Sequence, residues 1–151
     1  MISVEPIGFV SSPRVASEDD NWGDVVSTIV LADGIASETL DGIETFSHLE
    51  IIFHFHKLSP ESVCRTSRHP RDNSAWPKMG VFAHRGSSRP NRIGLSFVTL
   101  VRKEGRTLTV KGLDAIDGTP VLDIKPVFKQ MLPREPISQP LWVTELMEKY
   151  Y

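Results

Sequence analysis

A succession of short β-rich runs at close spacing, with one helical pattern and that late, constrains the fold of this chain most. Apolar and β-branched residues gather at Ile2–Val10, Val25–Leu31, Leu49–Lys57, Met79–His84, Ile93–Lys103, Arg106–Leu113 and Pro120–Lys125, and each run predicts a strand. The runs 93–103 and 106–113 meet at Glu104-Gly105 and read as a hairpin. Pro140 opens the helical pattern, with Leu141, Trp142, Glu145, Leu146 and Lys149 following at helical spacing. Ala36–Leu40 predicts one turn of helix. Strands that succeed one another without intervening helices predict a mainly β fold, a barrel or strongly curved sheet, and argue against a doubly wound α/β fold. The chain has no GxGxxG after a strand and no GxxxxGK[ST], which argues against Rossmann-type and P-loop enzymes.

The 151 residues fit one domain, 1–151, with 127–151 as an extension past the last strand. A chain of this length buries about 68–70% of its unfolded surface and needs no staples. Cys64 is the single cysteine, which excludes an internal disulfide framework and fits a reducing compartment. The first ten residues hold Glu5 and no Lys or Arg, and no apolar run nears the ~18 residues of a membrane span. A cytoplasmic location without membrane association is expected.

Charge is unevenly spread. Residues 1–50 hold ten acids and one base, Arg14, whereas residues 65–92 hold Arg65, Arg68, Arg71, Lys78, Arg85, Arg89 and Arg92 against Asp72 alone. Most of these arginines fall in or near a long segment, Leu58–Lys78, broken by Pro60, Pro70 and Pro77; a loop of that length in a compact domain is functional or mobile. Either the arginines pair with the acidic N-terminal third, or they form a surface for phosphates, for which the planar bidentate guanidinium suits better than lysine.

Period-two alternation sorts the third strand into a core face of Leu49, Ile51, Phe53 and Phe55 and a polar face of His48, Glu50, Ile52, His54 and His56. The polar face lines a pocket or interface, faces solvent, or brings imidazoles at i and i+2 toward one metal ion. No metal is expected, because no further cluster of ligands supports one. Two later segments are denser in signals. In Gly80-Val81-Phe82-Ala83-His84-Arg85 followed by Arg89-Pro90-Asn91-Arg92-Ile93-Gly94-Leu95-Ser96, Pro90 holds Arg89 extended while Asn91 and Gly94 tolerate positive φ, so amides and a guanidinium can converge on an anion. In Leu113-Asp114-Ala115-Ile116-Asp117-Gly118-Thr119-Pro120-Val121-Leu122-Asp123-Ile124-Lys125-Pro126, Asp117-Gly118 signals a turn. Asp117 and Asp123 either cap turns or accept from ribose hydroxyls or an ammonium group.

Together with Ile7-Gly8-Phe9-Val10-Ser11-Ser12-Pro13 and Leu40-Asp41-Gly42-Ile43 through Phe46-Ser47-His48-Leu49, these segments resemble the TsaA-like family, which includes the TrmO-type tRNA methyltransferases. The resemblance spans residues 7 to 126. It implies a single-sheet β-barrel, here with a long arginine-rich loop and a short C-terminal helix. It also implies a homodimer with S-adenosylmethionine bound near the subunit interface and, for TrmO-type members, N6-methylation of threonylcarbamoyladenosine in the tRNA anticodon loop. Carried over by position, the cofactor-binding residues are His56, Lys57, Arg85, Arg89, Asn91, Ser96, Asp117, Gly118, Thr119 and Pro120. The chain departs from the family at Ser88, where an aromatic residue is common, at Arg92, where proline is, and at Val127, where tyrosine is.

Methyl transfer from a sulfonium is an in-line displacement, so positioning and electrostatics are the protein's main contributions. A base helps where the acceptor nitrogen must shed its proton; Asp117 and His56 are the catalytic candidates, with His48 and His54 behind them. If the acceptor is tRNA, Arg65, Arg68, Arg71 and Arg92 are expected on its backbone, with Trp76 either stacking on an unpaired base or anchoring its loop. Trp22 either covers the cofactor or anchors the first long loop. Two further outcomes remain: a small-molecule methyltransferase of the same fold, and a non-catalytic module that binds S-adenosylmethionine or RNA.

Overall fold

The computed structural model describes all 151 residues. Its strands are β1 (Gly8–Ser11), β2 (Val26–Leu31), β3 (His48–His54), β4 (Ser67–Arg68), β5 (Met79–Gly80), β6 (Ile93–Glu104), β7 (Thr107–Lys111) and β8 (Pro120–Pro126), and its α-helix is α1 (Leu141–Met147). Six strands close a barrel in the order β1-β2-β7-β6-β3-β8, with β8 pairing back onto β1. All these pairs are antiparallel, so chain direction alternates around the barrel. The connections 12–25, 55–92 and 112–119 therefore gather at one end. Residues 32–47, the hairpin turn 105–106 and the exit from β8 gather at the other.

The interior follows from the pleat. β3 alternates exposed or half-buried with buried, placing Leu49, Ile51 and Phe53 inside as the period-two reading predicts. Val10, Ile29, Leu31, Val98, Leu108, Val110 and Val121 complete the wall, Leu40 joins the same buried cluster from the far-end connections, and Leu113 and Ala115 join it from the long-loop end. At the far end the Arg106 guanidinium donates to the carbonyls of Ile35 (2.5 Å), Ala32 (2.6 Å) and Leu31 (3.3 Å).

Several expectations need correction. The first strand begins at Gly8, not Ile2: Gly8 already pairs with Leu31, the last residue of β2, and beyond the hydrogen bonds of Ile7 to Val121 and Ala32 residues 2–6 join no ladder. The run 79–84 is a strand only at Met79–Gly80, paired with Ser67–Arg68, and then turns as a short 3-10 segment, Val81–Ala83. Positive φ in the Arg-Pro-Asn-Arg turn falls on Arg92 (51°) rather than on Asn91 or Gly94. Gly94 serves close approach instead: a Cβ there would lie 2.5 Å from two ring atoms of Phe53. No helix is long and apolar enough to cross a membrane.

Candidate active site

The long-loop end brings together residues from three distant stretches of sequence. Gly118, left-handed at φ 77°, turns the 112–119 connection so that its amide donates to Val10 O (2.8 Å). Beside it the Asp117 amide donates to Arg14 O (2.7 Å) and the Asp117 carboxylate accepts from the Ser12 amide (3.0 Å). His56, two residues past β3, closes on the same turn, with Nε2 3.7 Å from where a Cβ on Gly118 would stand. Partial burial, then the positive charge of Lys57, push the His56 imidazole below its ordinary range, while Asp117 pulls it back up. The ring is therefore neutral and able to accept a proton near pH 7. Thr119 is buried, its hydroxyl donating to Ile116 O (2.7 Å), and Pro120 opens β8.

Across the rim, Arg85 donates to Leu95 O (3.0 Å), and the next residue, Ser96, is buried with its hydroxyl donating to Asp114. Asp114 also accepts from the phenol of Tyr150. Asp114 and Asp117 are three residues apart, so their Cα atoms lie within about 11 Å. Arg85 and Asp117 thus share one end of the barrel without pairing with each other. Arg89 donates to His84 O (2.9 Å) and, with Phe82, Pro90, Asn91 and Ile93, lines an open cleft of about 360 Å³. That volume lies at the lower end of small-molecule sites. Lys57 is exposed.

The arginine-rich connection is stitched largely to itself and to the acidic first loop. Arg71 forms a two-point pair with Asp20 (2.8 and 3.2 Å), Arg68 pairs with Asp72 (2.6 Å), and Arg92 donates to Leu58 O (2.8 Å). Arg65 is exposed and pairs with no carboxylate. Trp76 is half-buried, its indole donating to Glu145 of α1 (2.7 Å), as an anchor would. Trp22 is an anchor too: it is buried, donates to Glu18 O (3.1 Å), and carries the Arg14 guanidinium 4.4 Å from its ring centre. Asp123 pairs with Lys125 (2.7 Å) along β8, six residues past the Asp117 turn. No group of three His, Cys, Asp or Glu side chains is placed to share a metal ion. Asp114 and Tyr150 are residues that sequence reasoning did not single out. Asp114 stood inside a quoted motif, but nothing marked its partners 18 residues before it and 36 after.

Comparisons with known proteins agree with this architecture. The model of the tRNA-methyltransferase O N-terminal domain matches residues 12–131. A probable S-adenosyl-L-methionine-binding protein of Pyrococcus abyssi is 37% identical over 145 residues, covering 89% of this chain and 73% of that protein. The human tRNA (adenine(37)-N6)-methyltransferase is 43% identical over 103 residues, covering 68% of this chain but 23% of the human protein. The crystal structure of TrmO from Pseudomonas aeruginosa superposes with a TM-score of 0.72 at 32% identity, covering 91% of this chain and 61% of that one. The chain thus spans less than a quarter of the human enzyme and under two thirds of the bacterial one. With a family model matched along most of its length and the same closed barrel beneath it, this chain belongs to the family of the tRNA-methyltransferase O N-terminal domain.

Proposed function

We propose that this chain is an S-adenosylmethionine-dependent methyltransferase acting on tRNA, with N6 of threonylcarbamoyladenosine in the anticodon loop as acceptor. One observation carries the reading: the connections at one end of the barrel bring the His56 imidazole onto the Asp117-Gly118 turn, at the same end as Arg85, Ser96 and Asp114. This donor set fits the cofactor. A zwitterionic amino acid needs a guanidinium and a carboxylate, and a ribose diol needs a carboxylate or hydroxyls; Arg85, Arg89, Asn91, Ser96 and the turn Asp117, Gly118, Thr119 and Pro120 supply them beside His56 and Lys57. Bound there, S-adenosylmethionine supplies a methyl group made electrophilic by its sulfonium.

The chain's own residues do the rest. His56, held neutral, accepts the proton that the acceptor nitrogen loses on attack. Asp117, fixed by the Ser12 amide, steadies the imidazolium that forms, since its charge already raises the affinity of His56 for a proton. The 112–119 turn and the Arg-Pro-Asn-Arg turn orient the two reactants. A homodimer is part of the proposal. Ile93, Leu95, Phe97 and Val101 point outward from β6 and are exposed, next to exposed Phe82 at the Arg89–Asn91 cleft. A second copy covering this stripe puts that cleft on the seam. A cytoplasmic location belongs to the same proposal.

The engagement of Arg68, Arg71 and Arg92 within the chain favours a second reading, a methyltransferase of the same fold with a small acceptor. Incubation with labelled S-adenosylmethionine and total tRNA, then with a metabolite extract, separates the two by where label appears. Cofactor binding without transfer to either identifies a non-catalytic module. Single-turnover methylation by Asp117→Asn and His56→Ala, each first shown to bind cofactor, tests the base: near-normal chemistry in both removes it.

A further inference from the structure

Asp114 holds together two donors that are distant in sequence, Ser96 and Tyr150. A half-buried carboxylate requires hydrogen-bond donors for both oxygens. Ser96 serves Oδ1, and both residues lie within the matched family region, 12–131. The donor to Oδ2 is the Tyr150 phenol, which comes from outside that region.

The attachment of Tyr150 is slight. Residues 131–140 are exposed throughout, and α1 has seven residues, none buried, and no side-chain cap; so short a helix is not stable by itself. The segment is held by Trp76 to Glu145 (2.7 Å) and by the amides of Asn21 and Trp22 donating to the carbonyls of Lys149 (2.8 Å) and Tyr150 (2.7 Å). The indole nitrogen of Trp142 is buried without a partner. A short uncapped helix with no fully buried residue and an exposed tether mark a segment at the low-stability end of a fold. Burial and the Asp114 charge hold the Tyr150 hydroxyl above its ordinary range, so it remains a donor at any working pH.

We infer that Asp114 recognises a nucleoside hydroxyl, and that the Tyr150 phenol is its displaceable stand-in, so that residues 141–151 form a strap released when such a ligand takes Oδ2. The inference rests on the cofactor reading above, and the hydroxyl belongs either to the adenosyl ribose or to the RNA.

The test uses S-adenosylhomocysteine as a non-reacting probe, with ribo- and deoxyribo-oligonucleotides of the anticodon loop as the second arm. Asp114→Asn weakens binding of the recognised ligand by about tenfold or more, the loss of a charge-assisted acceptor. Tyr150→Phe removes the competitor. Gly23→Ala dislodges the strap without touching Asp114, since its Cβ would stand 2.7 Å from the Tyr151 carbonyl carbon; both changes tighten binding by about threefold to tenfold. Amide exchange at Asn21 and Trp22 quickens when ligand binds. Weaker binding by Tyr150→Phe together with slower exchange makes the strap a fixed wall and overturns the inference. A wild-type protein that binds the probe while Asp114→Asn binds it equally removes this inference alone. One that binds neither probe nor oligonucleotide removes the functional reading as well. Loss confined to the ribo-oligonucleotide assigns the hydroxyl to RNA, and loss confined to S-adenosylhomocysteine assigns it to the cofactor.

Discussion

Gly94→Ala tests how the core sets the site. Gly94 pairs with Phe53 across β3 and β6, and an added methyl would meet two Phe53 ring atoms at 2.5 Å and one of Phe55 at 3.0 Å. Phe53 is 1% exposed and packs edge-on against Phe55, ring centres 5.3 Å apart, so the Phe53 ring has little room to give. Carbon atoms settle near 3.5–4.0 Å, so something must move by roughly 1 Å. Overpacking of this kind costs about 1–3 kcal/mol; alanine returns about 0.5–1 kcal/mol by narrowing the unfolded chain. The expected net loss is about 1–2 kcal/mol, or roughly 2–8 °C in Tm for a chain of this size. Urea denaturation measures it, with Gly80→Ala as control, because nothing lies within 4 Å of a Cβ there. Phe53→Leu combined with Gly94→Ala should recover about 1 kcal/mol through coupling of the two sites. Because His54 and His56 follow Phe53 and Phe55 directly in the chain, Gly94→Ala should also move their ring resonances. A Gly94→Ala protein as stable as the Gly80→Ala control refutes the close-approach explanation.

Three other outcomes follow from the same geometry. His56 should titrate below its ordinary value of 6.5; Lys57→Ala removes a repelling charge and raises the NMR midpoint, Asp117→Asn removes an attracting one and lowers it, and the opposite signs would break the assignment. Because the folded midpoint is depressed, the unfolded chain binds the proton more tightly, so this group disfavours the fold only as pH falls below the ordinary histidine value. Arg106→Gln should cost about 2 kcal/mol in denaturant unfolding, since three carbonyls lose a charged donor; a cost under about 0.5 kcal/mol would place it with ordinary surface changes. If tRNA is the substrate, affinity should fall linearly on a log–log plot against salt, and Arg65→Ala should reduce the slope by about 1; a flat response removes the RNA surface.

What could be read from the residues and what could not divide along a physical line. The faces of β3 were legible because Leu49, Ile51 and Phe53 are buried while His48, Glu50 and His54 are not, and burial of one face writes a period of two into a strand. The edges of strands were not, since Ile2 and Val4 are as β-prone as Phe9 yet have no partner to bond. The arginine charge was visible; its use was not. Arg85, Arg89 and Arg92 donate to the carbonyls of Leu95, His84 and Leu58, and a backbone carbonyl is a partner that every residue offers. Asp117 was found because a following glycine marks a turn. Asp114 escaped because a serine far upstream and a tyrosine far downstream leave no local mark.

The strain in the backbone indicates what those arginines accomplish. Non-glycine residues with positive φ are Asn21, Arg71, Asp72 and Arg92, and all four lie in connections of the long-loop end. Such conformations cost about 1–3 kcal/mol each and persist only where contacts over-determine them. Arg71 is pinned by Asp20 through both of its terminal nitrogens, and Arg92, at a φ no proline can adopt, ties its turn to Leu58. Holding the loop's shape and binding phosphate are not exclusive, because a guanidinium has five donors in a plane. Arg92 spends one terminal nitrogen on Leu58, Arg71 has committed both, and exposed Arg65 pairs with no carboxylate. Any nucleic-acid contact by this loop therefore falls first to Arg65, next to Arg92, and last to Arg71, whose loss would first undo the fold that positions the other two.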